Sequence, residues 1–180
     1  MAQPKPYSNY PCWIMLISNL VSLLIYATGA FVMSQIPRFG TILLGLYLLY
    51  IIWLELKVMS KSCVNCYYYG KYCAFGKGKL SSWLFKKGSP QGFLKRKLSW
   101  KDILPDFLVS IIPLIAGIIL LILRFNWLIL VSIVLLVILA SAGNGFIRGS
   151  LACRFCKQRE LGCPAEQLFS KKGKASKKSR

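Results

Sequence analysis

The chain has 180 residues, is 56% hydrophobic, and carries 24 Lys and Arg against 5 Asp and Glu, for a net charge of +19. It contains no histidine, which excludes histidine-ligated haem, histidine acid–base catalysis and serine–histidine triads. Four long, nearly uncharged stretches, residues 12–36, 41–59, 105–123 and 127–147, exclude a soluble domain. Each approaches or exceeds the ~20 residues needed to cross a bilayer.

Residues 1–11 hold Pro4, Pro6 and Pro11 and read as a short extended arm. Residues 12–59 form the first helix hairpin, turning through the loop at 35–40. The apolar core of its first span exceeds the ~7–15 residues of a signal peptide, and only Lys5 precedes it. A cleaved leader ending at Ala27-Thr28-Gly29 is the competing reading.

Residues 60–104 hold the first cysteine module and an interfacial segment, broken by Gly76, Gly78, Gly88 and Gly92. Its last part, GFLKRKLSWKDIL, mixes apolar and basic residues as a helix lying in the headgroup plane does. Trp83 and Phe85 are expected to dip into the same interface.

Residues 105–147 form the second hairpin, with Pro105 in the first helical turn, Pro113 as a kink, and a tight turn at Arg124-Phe125-Asn126. Gly145 and Gly149 have the small-xxx-small spacing, which predicts packing of the fourth span on the second. Residues 148–180 hold the second cysteine module and a basic tail. The expected fold is an all-α membrane protein of four transmembrane helices. They form two parallel-repeat hairpins, each followed by a cytoplasmic C-x2-C-x6-C module.

Orientation follows from the basic residues. If four helices cross, 22 of the 24 Lys and Arg fall on one side, and only Arg38 and Arg124 on the other. By the positive-inside rule, both termini and both cysteine modules are cytoplasmic. Basic residues beside an anionic leaflet contribute about 1 kcal/mol each, so anionic membrane lipid is the expected partner, with a protein partner at the cytoplasmic face as a further one. The tail KKGKASKKSR has no aromatic residue to stack on bases, which argues against nucleic acid or the ribosome. The oligomeric state is not encoded in any pattern here.

Six of the seven cysteines form a repeat: Cys63, Cys66 and Cys73, then Cys153, Cys156 and Cys163, with identical spacing and 90 residues apart. An Arg-Phe pair in each outer loop (Arg38-Phe39, Arg124-Phe125) is a fainter echo. C-x2-C lets two sulfurs reach one metal, and a third cysteine reaches it after a short turn. Zinc in closed sites takes four ligands, so each triad is one short. If one cysteine from each half bridges two metals, six sulfurs complete two zinc sites.

This doubled spacing resembles the two-zinc, six-cysteine cluster of fungal transcription factors, over two segments of 11 residues each. The resemblance implies that Cys63 and Cys153 bridge while Cys66, Cys73, Cys156 and Cys163 are terminal ligands. Lys157 and Arg159 echo the basic residues that follow C-x2-C in that family. There the halves are joined by a short loop; here two spans intervene, so ligand geometry carries over and DNA binding does not.

Two other chemistries fit the cysteines. Each triad could hold an iron–sulfur cluster with one open iron, although four thiolates are usual. Membrane thiol–disulfide oxidoreductases also carry C-x-x-C motifs on four helices, but face an oxidising compartment. Cys12 near the same face is a spare ligand for one triad.

Glu55, the acid within a span, is read as a snorkelling side chain or a partner of a lysine such as Lys57. Asn19 and Asn144 are expected to make interhelical hydrogen bonds. The aromatic run 67–73 reads as an interfacial belt. GKGK at 76–79 lacks the strand context and full motif of a phosphate loop. The expected function is a non-enzymatic membrane scaffold or adaptor whose zinc-bound cysteines organise a basic face. An iron–sulfur electron carrier and a thiol oxidoreductase are the alternatives.

Overall fold

The computed structural model describes residues 5–89 and 100–163. The basic tail and most of the interfacial segment at 92–104 lie outside the described residues. Helices are α1 (Cys12–Ser34), α2 (Gly40–Lys61), α3 (Lys77–Leu84), α4 (Trp100–Leu123), α5 (Trp127–Ala152) and α6 (Lys157–Gly162). Among the described residues there is no strand, only a single bridge between Tyr7 and Cys156.

Four helices are long and apolar enough to cross a membrane, as their residue runs dictate. Over an 18-residue apolar stretch of each span, only 22%, 22%, 22% and 17% of the residues are buried inside the bundle. The remaining apolar surface is far larger than a protein in water leaves bare, which fits an integral membrane protein.

Within the described residues α4 already runs from Trp100, so Pro105 sits inside the helix rather than in its first turn. α5 continues to Ala152 through two widened, π-type turns, Leu139–Gly143 and Ile147–Ala152. At the α4–α5 corner, the Asn126 side chain caps α5 by accepting from the Leu128 N–H at 2.9 Å.

α1 is the centre of the bundle and packs on α2, α4 and α5. α4 and α5 pair as the second hairpin, whereas α5 has little packing on α2. The expected glycine contact between the fourth and second spans is therefore absent. A Cβ at Gly145 or Gly149 would meet open space. The close approaches occur elsewhere. A Cβ at Gly117 would come 2.7 Å from the Ile133 Cδ1, and one at Gly29 would collide with the Tyr47 hydroxyl.

That Tyr47 hydroxyl solves a problem set by Pro113. Proline has no N–H, so the carbonyl four residues earlier, that of Val109, loses its helical donor. Tyr47 Oη donates to the Val109 oxygen at 2.9 Å. In lipid no water could substitute. Tyr50 Oη donates to the Pro105 oxygen at 2.9 Å, a second hydrogen bond from α2 to α4. Met33, Tyr47, Ile51, Leu54 and Val109 form the core around this point, and Leu120, Ile129 and Ile133 form a second one between α4 and α5.

Candidate functional site: a cysteine and tyrosine head

Both cysteine segments leave the same end of the bundle, because α2 and α5 run the same way. Each makes the same pair of turns. The Cys66 N–H donates to the Cys63 carbonyl at 3.2 Å, and the Cys156 N–H to the Cys153 carbonyl at 3.4 Å. The Cys66 carbonyl then accepts from Tyr69 at 3.0 Å, and the Cys156 carbonyl from Arg159 at 3.1 Å. Identical C-x2-C spacing thus folds into matching local geometry.

A shared core joins the two segments. Tyr10, Ile14, Tyr68, Ala74, Ile147 and Ala152 are buried there, and Cys66, Cys73 and Cys156 pack against them. Tyr68 is its centre. Its hydroxyl donates to the Tyr7 oxygen at 2.7 Å and accepts from the Lys157 N–H at 3.0 Å. Gln158 is buried and receives the Tyr67 N–H at 2.7 Å. The Tyr10 hydroxyl donates to the Ala152 carbonyl. The N-terminal arm is stitched in by the Tyr7 N–H to Phe155 and the Tyr10 N–H to Tyr72, both 3.0 Å.

All seven cysteines are free thiols. Cys12 and Cys153 are exposed, and the other five are part-buried. Cys66 lies in the electrostatic field of Cys156, Cys73 and Cys163, so the triads are near neighbours. Burial pushes the Cys66 and Cys156 thiols up to about 11, against the pull of backbone N–H donors. They are therefore protonated at neutral pH. Burial also raises Tyr68 to about 12 and Tyr10 further still. Tyr67 is shifted down instead, by Lys71 beside it and by Lys157. The Gly78 N–H points at the Cys73 sulfur at 3.4 Å.

The triads are gathered without being drawn together. Among the described residues, no three Cys, Asp or Glu side chains are grouped tightly enough to hold a metal ion. The donor set is right for zinc in kind, six thiols and no competing disulfide, but the sulfurs stand apart.

A cavity of about 280 Å³ runs from the head into the bundle, and Cys63, Cys73, Glu55, Lys77, Asp106 and Arg148 all reach it. Glu55 is paired there, with Lys77 rather than Lys57: Nζ to Oε2 is 2.6 Å. The Tyr26 hydroxyl also donates to Glu55 at 2.7 Å. Lys57 instead lies over the Trp53 ring, 4.7 Å from its centre. Asn19 and Asn144 bond within their own helices, to the Met15 carbonyl at 2.8 Å and the Arg148 Nε at 3.0 Å, so the expected interhelical bonds do not form.

Sequence reasoning had no role for Tyr7, Tyr10 or Gln158, and read Tyr68 as part of a belt. The one available signal was the density of tyrosines flanking the first hairpin, at 7, 10, 67, 68, 69 and 72. No protein-family model matches this chain, and neither curated proteins nor solved structures yield a significant match.

Proposed function

We propose that this protein is a non-enzymatic integral membrane scaffold whose two cysteine triads jointly bind two zinc ions. Cys63, Cys66, Cys73, Cys153, Cys156 and Cys163 would be the ligands, with Cys63 and Cys153 bridging. Metal binding would fasten the ends of both hairpins and fix a basic cytoplasmic face, with both termini on that side, for anionic lipid or a protein partner. One observation carries this reading: the two C-x2-C segments, 90 residues apart in sequence, make the same turns and meet on one shared core. Because the sulfurs stand apart, binding on this reading includes a closing movement of the head. Zinc needs thiolates, so affinity rises with pH as the protons leave.

The thiol-oxidoreductase alternative draws less support, since each copy carries three cysteines rather than a redox pair and such enzymes face an oxidising compartment. The test is anaerobic purification followed by metal analysis and a visible spectrum. Two zincs per chain without colour support the proposal. Iron with acid-labile sulfide and a brown spectrum replace it with the electron carrier. A metal-free chain overturns both.

A further inference from the structure

Because α5 has little packing on α2, a groove of about 560 Å³ opens between α2, α4 and α5. Its two ends differ in chemistry. Near the cysteine head the rim carries Lys57 and Lys61 from α2, Arg148 from α5, and Asp102 and Asp106 from α4. Farther into the span the walls are apolar, with Ile111, Leu114, Leu136 and Ala140. Leu54, Val58, Asp106, Ser110, Asn144 and Arg148 also line the smaller cavity, so both spaces meet at the same wall.

Two features mark the groove as more than a packing defect. Ionisable side chains facing a cavity within a membrane span mark ligand or ion sites. The widened turns of α5 also fall here: Ala140 and Ser141 lie in the first, and Arg148 in the second. Such turns occur frequently at functional sites.

We propose that the groove seats one membrane phospholipid bearing both a phosphate and a primary ammonium. The acyl chain lies along the apolar walls. The phosphate sits beside Arg148 and Lys57, and the ammonium pairs with Asp106 on the opposite wall. Charge complementarity selects this occupant. A purely anionic head would meet the Asp106 carboxylate with no cation of its own to offer, and a helix from a second copy would have to bury both signs of charge. The proposal does not rest on zinc, and chelation should leave it intact.

The test uses the full chain in detergent micelles. Equimolar dioleoyl phosphatidylethanolamine, phosphatidylcholine and phosphatidylglycerol are added, and retained lipid is counted by native mass spectrometry. One phosphatidylethanolamine per chain should be retained in preference to the other two. Arg148→Gln should weaken its retention about fivefold, as expected for one basic residue beside a phosphate, with Arg148→Lys losing less. Asp106→Asn should abolish the preference over phosphatidylglycerol. Ala140→Leu, which fills the apolar wall without changing charge, should weaken all three lipids. Helical circular dichroism shows whether each variant is folded, and if Arg148→Gln is not, Asp106→Asn and Ala140→Leu decide. Equal retention of the three lipids by the unaltered chain overturns the proposal. So does retention unchanged by Ala140→Leu, or a chain dimer that excludes lipid from the groove.

Discussion

The two cysteine segments share their spacing and their first turns, then part. After Cys66 the chain enters the loop that buries Tyr68, returns a backbone N–H to the Cys73 sulfur, and continues into α3. The Gly88 N–H comes back to the Val64 carbonyl at 3.0 Å, closing the segment on itself. The second segment is simpler. Cys153 is exposed, and α6 leads directly to Cys163. It is held largely by what the first segment and the arm offer: Tyr68 to Lys157, Tyr67 to Gln158, Tyr7 to Phe155. The first segment is therefore a platform and the second a docked strap. Equal spacing dictates equal local turns, whereas long-range partners decide which copy is self-supporting.

Removing Tyr68 should have the largest effect, because it serves both copies. Tyr68→Ala leaves a cavity where a large buried ring stood and should cost about 3–5 kcal/mol, freeing strap and arm together. Limited proteolysis should then cut near both Phe155 and Tyr7. Gln158→Ala acts on the strap alone. It strands the Tyr67 N–H and breaks the bond to the Gly162 carbonyl, for about 1–3 kcal/mol. Hydrogen exchange should rise in 153–163 and stay low in 63–73. If both segments loosen equally, the platform-and-strap distinction is wrong.

A pH titration of the metal-free chain probes the contact between copies. The folded thiols of Cys66 and Cys156 are raised to about 11 from an ordinary value near ~8.5. The unfolded state therefore releases protons first as pH rises. This contribution to stability is complete below ~8.5 and is lost progressively as pH climbs through about 11. Near-ultraviolet circular dichroism of the head tyrosines should fade across that window and hold steady between pH 6 and 8. The smallest effect is expected in the bundle. Tyr47→Phe leaves the Val109 carbonyl without a donor and should cost about 1 kcal/mol, lowering thermal stability without changing proteolysis of the head.

The four spans were readable because uninterrupted apolar runs of that length have few alternatives, and their positions agree with the helices to within a few residues except at Trp100 and Ala152. Helix pairing was not readable. The Gly145-xxx-Gly149 pattern is genuine, but spacing does not specify a partner, and the glycines point into open space. Gly29 and Gly117, which lack that spacing, make the close approaches. The cysteines stood out because six residues repeat one interval. The tyrosines that join them did not, since Tyr10 and Ala152 lie 142 residues apart and no local pattern links them. For Glu55 the sequence leaves snorkelling and a lysine partner both open; the partner is Lys77, which reaches it because the loop after Cys66 folds back over α2.

The claim that both copies build one site is tested most directly by zinc stoichiometry in Cys66→Ser and Cys156→Ser, measured against the unaltered chain after anaerobic purification. A joint site predicts two zincs in the unaltered chain and loss of tightly held metal from both positions in either variant, because each segment completes the other. Half the zinc retained in each variant, or zinc content indifferent to both substitutions, would contradict it.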